Sequence, residues 1–230
     1  VVTALLLRVN QDDIDDGLYG FNAALVALVG AAFLHLDVAA LLLTGLAVIV
    51  STALFHVARR RGWQVVTAPF LLTALTLTLL PMGLITATPA RLEVEVIARH
   101  FGQVMFLDNT WSGLLCVAGV FAGARVSGVA ALVASALVFA LTLLVPGAPH
   151  AQQAGLYGFN AVLTAIALHQ QQPRWLHTTL GALLATALTA LAIHFDVRVF
   201  TAPFVVLAWL GTRRGPVSPP RHRSDQSLRE

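Results

Sequence analysis

Five neutral polar side chains, Asn22, Thr67, Gln103, Asn160 and Thr201, stand inside stretches that are otherwise apolar. Amides and hydroxyls exchange hydrogen bonds with an uncharged solute or with one another. Covalent or acid–base catalysis needs more, and no nucleophile, base and orienting acid can be assembled around them. Carriers driven by protons or sodium hold the ion on ionisable groups at midplane, and these stretches carry hardly a charge. The eight histidines fall at stretch ends or in loops without an HxxxH pair, so they read as core or interface histidines rather than metal ligands. Gln11-Asp12-Asp13-Ile14-Asp15-Asp16 lacks the spaced oxygen donors and fixed glycine of a calcium loop, and reads as a solvated loop leading a helix N-terminus. The single Cys116 can form no internal disulfide and reads as a buried, inert thiol.

The elements that must position these groups are written twice. Gly17-Leu18-Tyr19-Gly20-Phe21-Asn22-Ala23 returns as Gly155-Leu156-Tyr157-Gly158-Phe159-Asn160-Ala161, an offset of 138 (155 minus 17). Thr67-Ala68-Pro69-Phe70 returns as Thr201-Ala202-Pro203-Phe204, an offset of 134 (201 minus 67). Each unit therefore holds an aromatic-and-amide turn followed by a Thr–Pro break. Proline withholds its own donor, which predicts freed carbonyl acceptors beside Thr67 and Thr201. Asn22 and Asn160 read as interhelical hydrogen bonds that fix the turn. Gly17 and Gly20, three apart, predict a notch for a close backbone or a thin substrate.

Composition places the units in a membrane: 57% of residues are apolar, 11% are charged and the mean hydropathy is +0.80, whereas soluble domains run near ~25% charged. Apolar stretches at about 17–34, 38–58, 65–85, 110–124 with a preceding half-length piece, 126–145, 156–170, 176–194 and 197–212 predict a multi-pass, all-helical protein. All 14 basic residues are Arg, in loops and the tail, a pattern that reports topology and not nucleic acid. Setting Arg59-Arg60-Arg61 on the cytoplasmic side puts eleven arginines inside and three, Arg91, Arg99 and Arg198, outside. Five crossings then separate the two GLYGFN phrases, so the copies are predicted to be inverted. Segment 93–124 reads as a half-helix that enters, stops at Asp108-Asn109 and hands over to a short span.

The fold expected is thus an all-α membrane protein, an inverted repeat of five-span units with discontinuous re-entrant helices. Sliding the chain by 138 sets Val1 opposite Phe139, so the counterpart of 93–124 is missing from the first copy and the chain reads as N-terminally truncated by about 45 residues (138 minus 93). The predicted units are 1–90 for the first repeat, 91–212 for the second and 213–230 for a disordered cytoplasmic tail.

GLYGFNAxL twice, TAPF twice and GQVMF followed by DNTWSGLL, in this order from Val1 to about Gly211, resemble the urea transporter family of bacteria and vertebrates. The resemblance implies a ten-span homotrimer of the cell (inner or plasma) membrane that is not an enzyme and needs no cofactor. Each subunit would carry its own narrow pore, through which urea, with small amides, moves downhill without an ion. It further implies oxygen ladders built from Gln103, Thr67, Thr201 and freed carbonyls, and slot walls from Phe106, Phe21, Leu25, Leu156 and Leu163. Phe21 with Leu25, and Phe159 with Leu163, lie four residues apart on one helical face, and inversion is predicted to bring the two pairs together as the constriction.

The physical case runs alongside. Urea must shed water to enter such a slot, and each hydrogen bond left unreplaced costs ~1–3 kcal/mol, so a ladder of acceptors is needed. Phenyl faces favour planar solutes and offer a hydrated ion nothing for its lost water. Two other classes fit the same neutral stretches: a channel for ammonia or another small neutral solute, and a truncated, non-conducting membrane protein.

Overall fold

The glycines and prolines of the two repeated phrases decide where helices begin. In the computed structural model, which describes residues 2–34, 37–77, 94–144 and 148–211, α1 (Val2–Leu6) and α2 (Gln11–Asp15) lead into α3 (Phe21–Phe33), α4 (Val38–Arg60) and α5 (Ala68–Leu77). The chain continues with α6 (Val96–Gly102), a 3-10 turn (Gln103–Met105), α7 (Thr110–Gly123), α8 (Arg125–Leu144), α9 (Pro149–Ala154), α10 (Phe159–Gln171), α11 (Trp175–His194) and α12 (Ala202–Gly211). Among the described residues there is no strand. The tail at 213–230, His35, Arg91, Glu93, the boundary at 90/91 and the end of the 65–85 stretch lie outside them.

Helices α4, α8 and α11, of 23, 20 and 20 residues, reach roughly 30–35 Å at 1.5 Å per residue, enough to cross a bilayer core. Their outward faces are apolar, as on α4, where Leu41, Leu42, Leu46 and Ile49 are exposed. Such a surface is at home in lipid and out of place in water. Val96–Met105 and Thr110–Gly123 are together long and apolar enough for a broken fourth span or a re-entrant pair, and they are bent by 78° at the break between them. There Phe106 sits in the left-handed region (φ 59°), and Asn109 caps α7 by accepting from the Ser112 N–H at 2.8 Å. Gly102 and Gly113 let α6 and α7 fold against each other: a Cβ at Gly102 would overlap the Leu107 carbonyl, and one at Gly113 the Ala98 carbonyl.

Several expected spans are corrected. The stretches at 17–34 and 156–170 yield helices of 13 residues each, about 20 Å and too short to cross a ~30 Å core alone. Gly17 (φ 72°) and Gly155 (φ 81°) turn the chain left-handed, and the next three residues are spent in turn, so the helices start at Phe21 and Phe159. The stretch at 197–212 becomes helical only at Ala202, because Asp196 (φ 53°) and Phe200 (φ 42°) interrupt it. Gly62 (φ 68°) and Val66 (φ 44°) do the same 134 residues earlier.

The predicted glycine notch belongs to the second copy alone. Nothing lies within 4 Å of a Cβ built on Gly17, and Gly20 meets only the Gly17 carbonyl at 3.5 Å. Gly155, by contrast, packs on the Arg99 and His100 backbone, and a Cβ on Gly158 would overlap the His100 ring. The acidic segment, expected as a solvated loop, is the one-turn helix α2, and its Asp13 is bound bidentately by Arg59 at 2.7 and 3.2 Å.

Candidate functional site

Pro69 and Pro203 are the second residues of α5 and α12. At a helix start the missing N–H is no loss. What holds the turn before each helix is the asparagine of the other phrase. Asn22 donates from Nδ2 to the Val66 carbonyl (3.1 Å) and accepts at Oδ1 from the Phe70 N–H (3.1 Å). Asn160 repeats this with the Phe200 carbonyl (3.0 Å) and the Phe204 N–H (3.4 Å), and also donates to Thr189 Oγ1 (3.0 Å). The expectation that these amides fix a turn is met. The expectation of free carbonyls beside the threonines is corrected: Val65, Val66 and Thr67 accept from Ala68, Asn22 and Leu71, and Val199, Phe200 and Thr201 from Ala202, Asn160 and Val205. Each carbonyl keeps only its second lone pair for a further donor.

The turns aim the two threonines at each other. Thr67 Oγ1 and Thr201 Oγ1 are 2.9 Å apart and both residues are 1% exposed. One hydroxyl donates and the other accepts, so the accepting residue retains its proton and both oxygens retain lone pairs. The residues beside them interleave. Val66, Ala68 and Leu71 of the first copy pack with Leu163, Phe204 and Val205 of the second. Phe106 and Phe200 of the second pack with Leu25, Phe70 and Ala74 of the first.

In that second cluster four rings meet. Phe106 and Phe200 are 6.0 Å apart between centroids, and each touches Phe33 (6.0 and 6.3 Å) and Phe70 (5.9 and 6.1 Å). All but the Phe70–Phe106 contact are edge to face. Such pairs contribute about 0.5–1.5 kcal/mol each beyond area burial.

Gln103, 7% exposed, sits on the 3-10 turn that packs against α10. Its placement depends on His100, one turn earlier and fully buried. Ser135 Oγ donates to the Ile97 carbonyl (2.9 Å), so the 2.8 Å contact from His100 Nδ1 to Ser135 is a donation by the ring. His100 thereby pins α6 to α8 while its ring lies against Gly158. Its Nε2 is buried without a partner among the described residues. His169 is also buried, bonded to Thr178 Oγ1 at 3.2 Å.

Of the residues singled out from sequence, the fold brings Thr67 to Thr201 and Leu25 to Phe106. Leu163 belongs to the Phe204 cluster and Leu25 to the Phe70 cluster, so the two leucines pack in different clusters. Phe159 is buried and Phe21 is 40% exposed. Leu156 packs with Tyr157, Ala134 and Val138, in a third cluster. Sequence reasoning passed over Phe33, Phe70 and Phe200. Phe70 closes the repeated TAPF phrase and Phe200 immediately precedes its second copy, a signal that was present; Phe33 carries none.

Helices of spanning length with apolar exteriors, enclosing a buried hydroxyl pair and a group of phenyl rings, define an all-helical membrane protein. The model of the family described as UT, urea transporter, matches residues 1–212, and the chain belongs to the urea transporter family. That is a family of transporters rather than of enzymes, and urea transport is the activity it carries.

Proposed function

We propose that the chain conducts urea passively, through a narrow pore in each subunit that runs past Gln103, the Phe33, Phe70, Phe106 and Phe200 rings and the Thr67–Thr201 contact. The observation that carries this reading is the buried 2.9 Å hydroxyl pair where the two copies meet. Urea's N–H edges would be met by the threonine oxygens and the second lone pairs of the Val66 and Phe200 carbonyls, and its carbonyl by the remaining threonine proton. Parting the two hydroxyls gives up one bond of ~0.5–1.5 kcal/mol and returns bonds to the solute, a near-even exchange. A flat solute between parallel phenyl faces needs about 7 Å, twice a carbon contact of ~3.5 Å, so the edge-to-face rings must turn as it passes. Leu25 and Leu163 line the constriction from their two clusters, with Phe21, Phe159 and Leu156 as further wall.

The organisation belongs to the same reading. Units 1–90 and 91–212 are inverted repeats centred on the threonine pair, with α3, α5, α10 and α12 as half-spans. Support comes from the matched local geometry: a left-handed glycine in each phrase (φ 72° and 81°), the same asparagine bridge, and a positive-φ residue, Val66 or Phe200, before each threonine. The assembly is a homotrimer in the cell membrane, and small amides share the path.

Stopped-flow light scattering on proteoliposomes tests it. Urea entry, followed by acetamide at a lower rate, is expected to persist when sodium, proton and voltage gradients are collapsed in turn. A tenfold loss on removing one gradient would show a coupled carrier, and passage of ammonia with exclusion of urea would establish the other neutral-solute channel.

A further inference from the structure

A cavity of about 450 Å³ opens between α1, α2 and the end of α4, apart from the urea path; Arg8, Asp13, Tyr19, His56, Arg59 and Arg60 are in its wall. Arg59 is spent on Asp13, through two hydrogen bonds. Arg8 and Arg60 make no ion pair or side-chain hydrogen bond among the described residues. Tyr19, 4% exposed, is bonded to His56 Nδ1 at 3.0 Å. Whichever of the two donates, one N–H or O–H of the pair is left over. The wall therefore keeps two guanidinium groups without an ion pair among the described residues and a spare N–H or O–H donor, a set suited to a phosphate.

The fold does not require the Asp13, His56 and Arg59 part of this wall to be polar, as the other repeated phrase shows. By the same offsets, Asp13, Tyr19, His56 and Arg59 correspond to Ala151, Tyr157, Ala190 and Ile193, and those four pack together as an apolar cluster. The second tyrosine turn packs on alanine and isoleucine, with the Tyr157 hydroxyl accepting from the Ala148 N–H, whereas the first is lined with charge. Arg8 reinforces this. It occupies the left-handed C′ position after α1 (φ 53°), its N–H bonded to the Leu5 carbonyl and that of Val9 to the Ala4 carbonyl. Glycine is the ordinary residue there. An arginine in its place carries a side chain into the cavity wall.

We infer that this cavity binds a phosphate group, held by Arg8 and Arg60 with the Tyr19–His56 pair, and that the phosphate is the headgroup of an anionic phospholipid. The source follows from position. Just beyond α4, Trp63 is 61% exposed with the Arg61 guanidinium 5.4 Å over its ring, the pairing expected at a membrane–water boundary, and Val57 on the last turns of α4 is exposed and apolar. Basic pockets between helices at that depth take acidic headgroups.

Native mass spectrometry of the full chain in detergent, titrated with dioctanoyl phosphatidylglycerol, dioctanoyl phosphatidylcholine and inorganic phosphate, tests the inference. One phosphatidylglycerol should bind about tenfold or more tighter than phosphatidylcholine, and Arg8→Gln with Arg60→Gln should remove that preference while urea flux in vesicles persists. Asp13→Asn frees Arg59 and should shift phosphatidylglycerol binding the opposite way, tightening it several-fold. A gain confined to phosphatidylglycerol, with phosphatidylcholine binding unchanged and the parent melting temperature retained, separates the site from misfolding even if the double variant is unstable. Inorganic phosphate binding with the same variant dependence, but no preference for phosphatidylglycerol over phosphatidylcholine, would keep the phosphate site and overturn the lipid source. If no probe responds to the arginines or to Asp13→Asn, the site itself is refuted.

Discussion

Thr67 and Thr201, 134 positions apart in the chain, share a hydrogen bond of 2.9 Å with both residues buried. Each holds the same place in its copy, after a positive-φ residue and two before a proline, so the contact is one motif meeting its own repeat. Neither hydroxyl has another side-chain partner among the described residues, so the proposed path predicts that the solute itself replaces this bond.

Thr201→Val keeps the side-chain volume and deletes one oxygen. Loss of a bond worth ~0.5–1.5 kcal/mol predicts urea flux lower by roughly two- to tenfold rather than abolished. The partner change Thr67→Val should act alike, and thermal stabilities of the two singles and the double should be non-additive, since a shared bond is lost only once. Parent flux from the double variant in stopped-flow measurements would remove the pair from the urea path.

Asn160 makes three side-chain hydrogen bonds and Asn22 two. Replacing either with Ala strands buried partners at ~1–3 kcal/mol each. Asn160→Ala should therefore unfold at a lower temperature in detergent than Asn22→Ala, and both below the parent. The reverse order would mean that the two bridges differ in a way their shared geometry conceals.

The two copies of one glycine should answer differently to the same change. Gly158→Ala drives a Cβ into the His100 ring and forces α6 to give way, a strain of about 1–3 kcal/mol. Gly20→Ala meets only an ordinary contact and has a negative φ of −89°, so stability should hold or rise slightly. Thermal melts of the two variants side by side check this; equal losses would contradict it.

Phe200→Val installs at φ 42° the residue that the first copy already carries at Val66 (φ 44°), so the backbone should accept it. It removes one ring from the group of four and its three centroid contacts near 6 Å. Relaxed selectivity is expected, with the acetamide-to-urea flux ratio rising several-fold at a modest cost of about 2–4 kcal/mol in stability. An unchanged ratio would make the rings packing alone.

Composition alone determined that this chain lives in a membrane, because no soluble surface can be made from so few charges. The letter-for-letter repeats marked the two phrases that take up matching turns, and Asp108-Asn109 marked the break that the structure bends by 78°. The asparagine bridges were legible too, since a buried amide beside a turn has few other uses. Helix length was not. Hydropathy scores a half-helix buried in protein and a full crossing alike, because both are apolar, and only the φ angles at Gly17, Gly155 and Phe200 stop these helices short. Tertiary structure alone put Thr67 on Thr201, gathered Phe33, Phe70, Phe106 and Phe200, and set His100 against Gly158. Those contacts join residues far apart in the chain, and local pattern carries the period of an element but not the identity of the element it packs against.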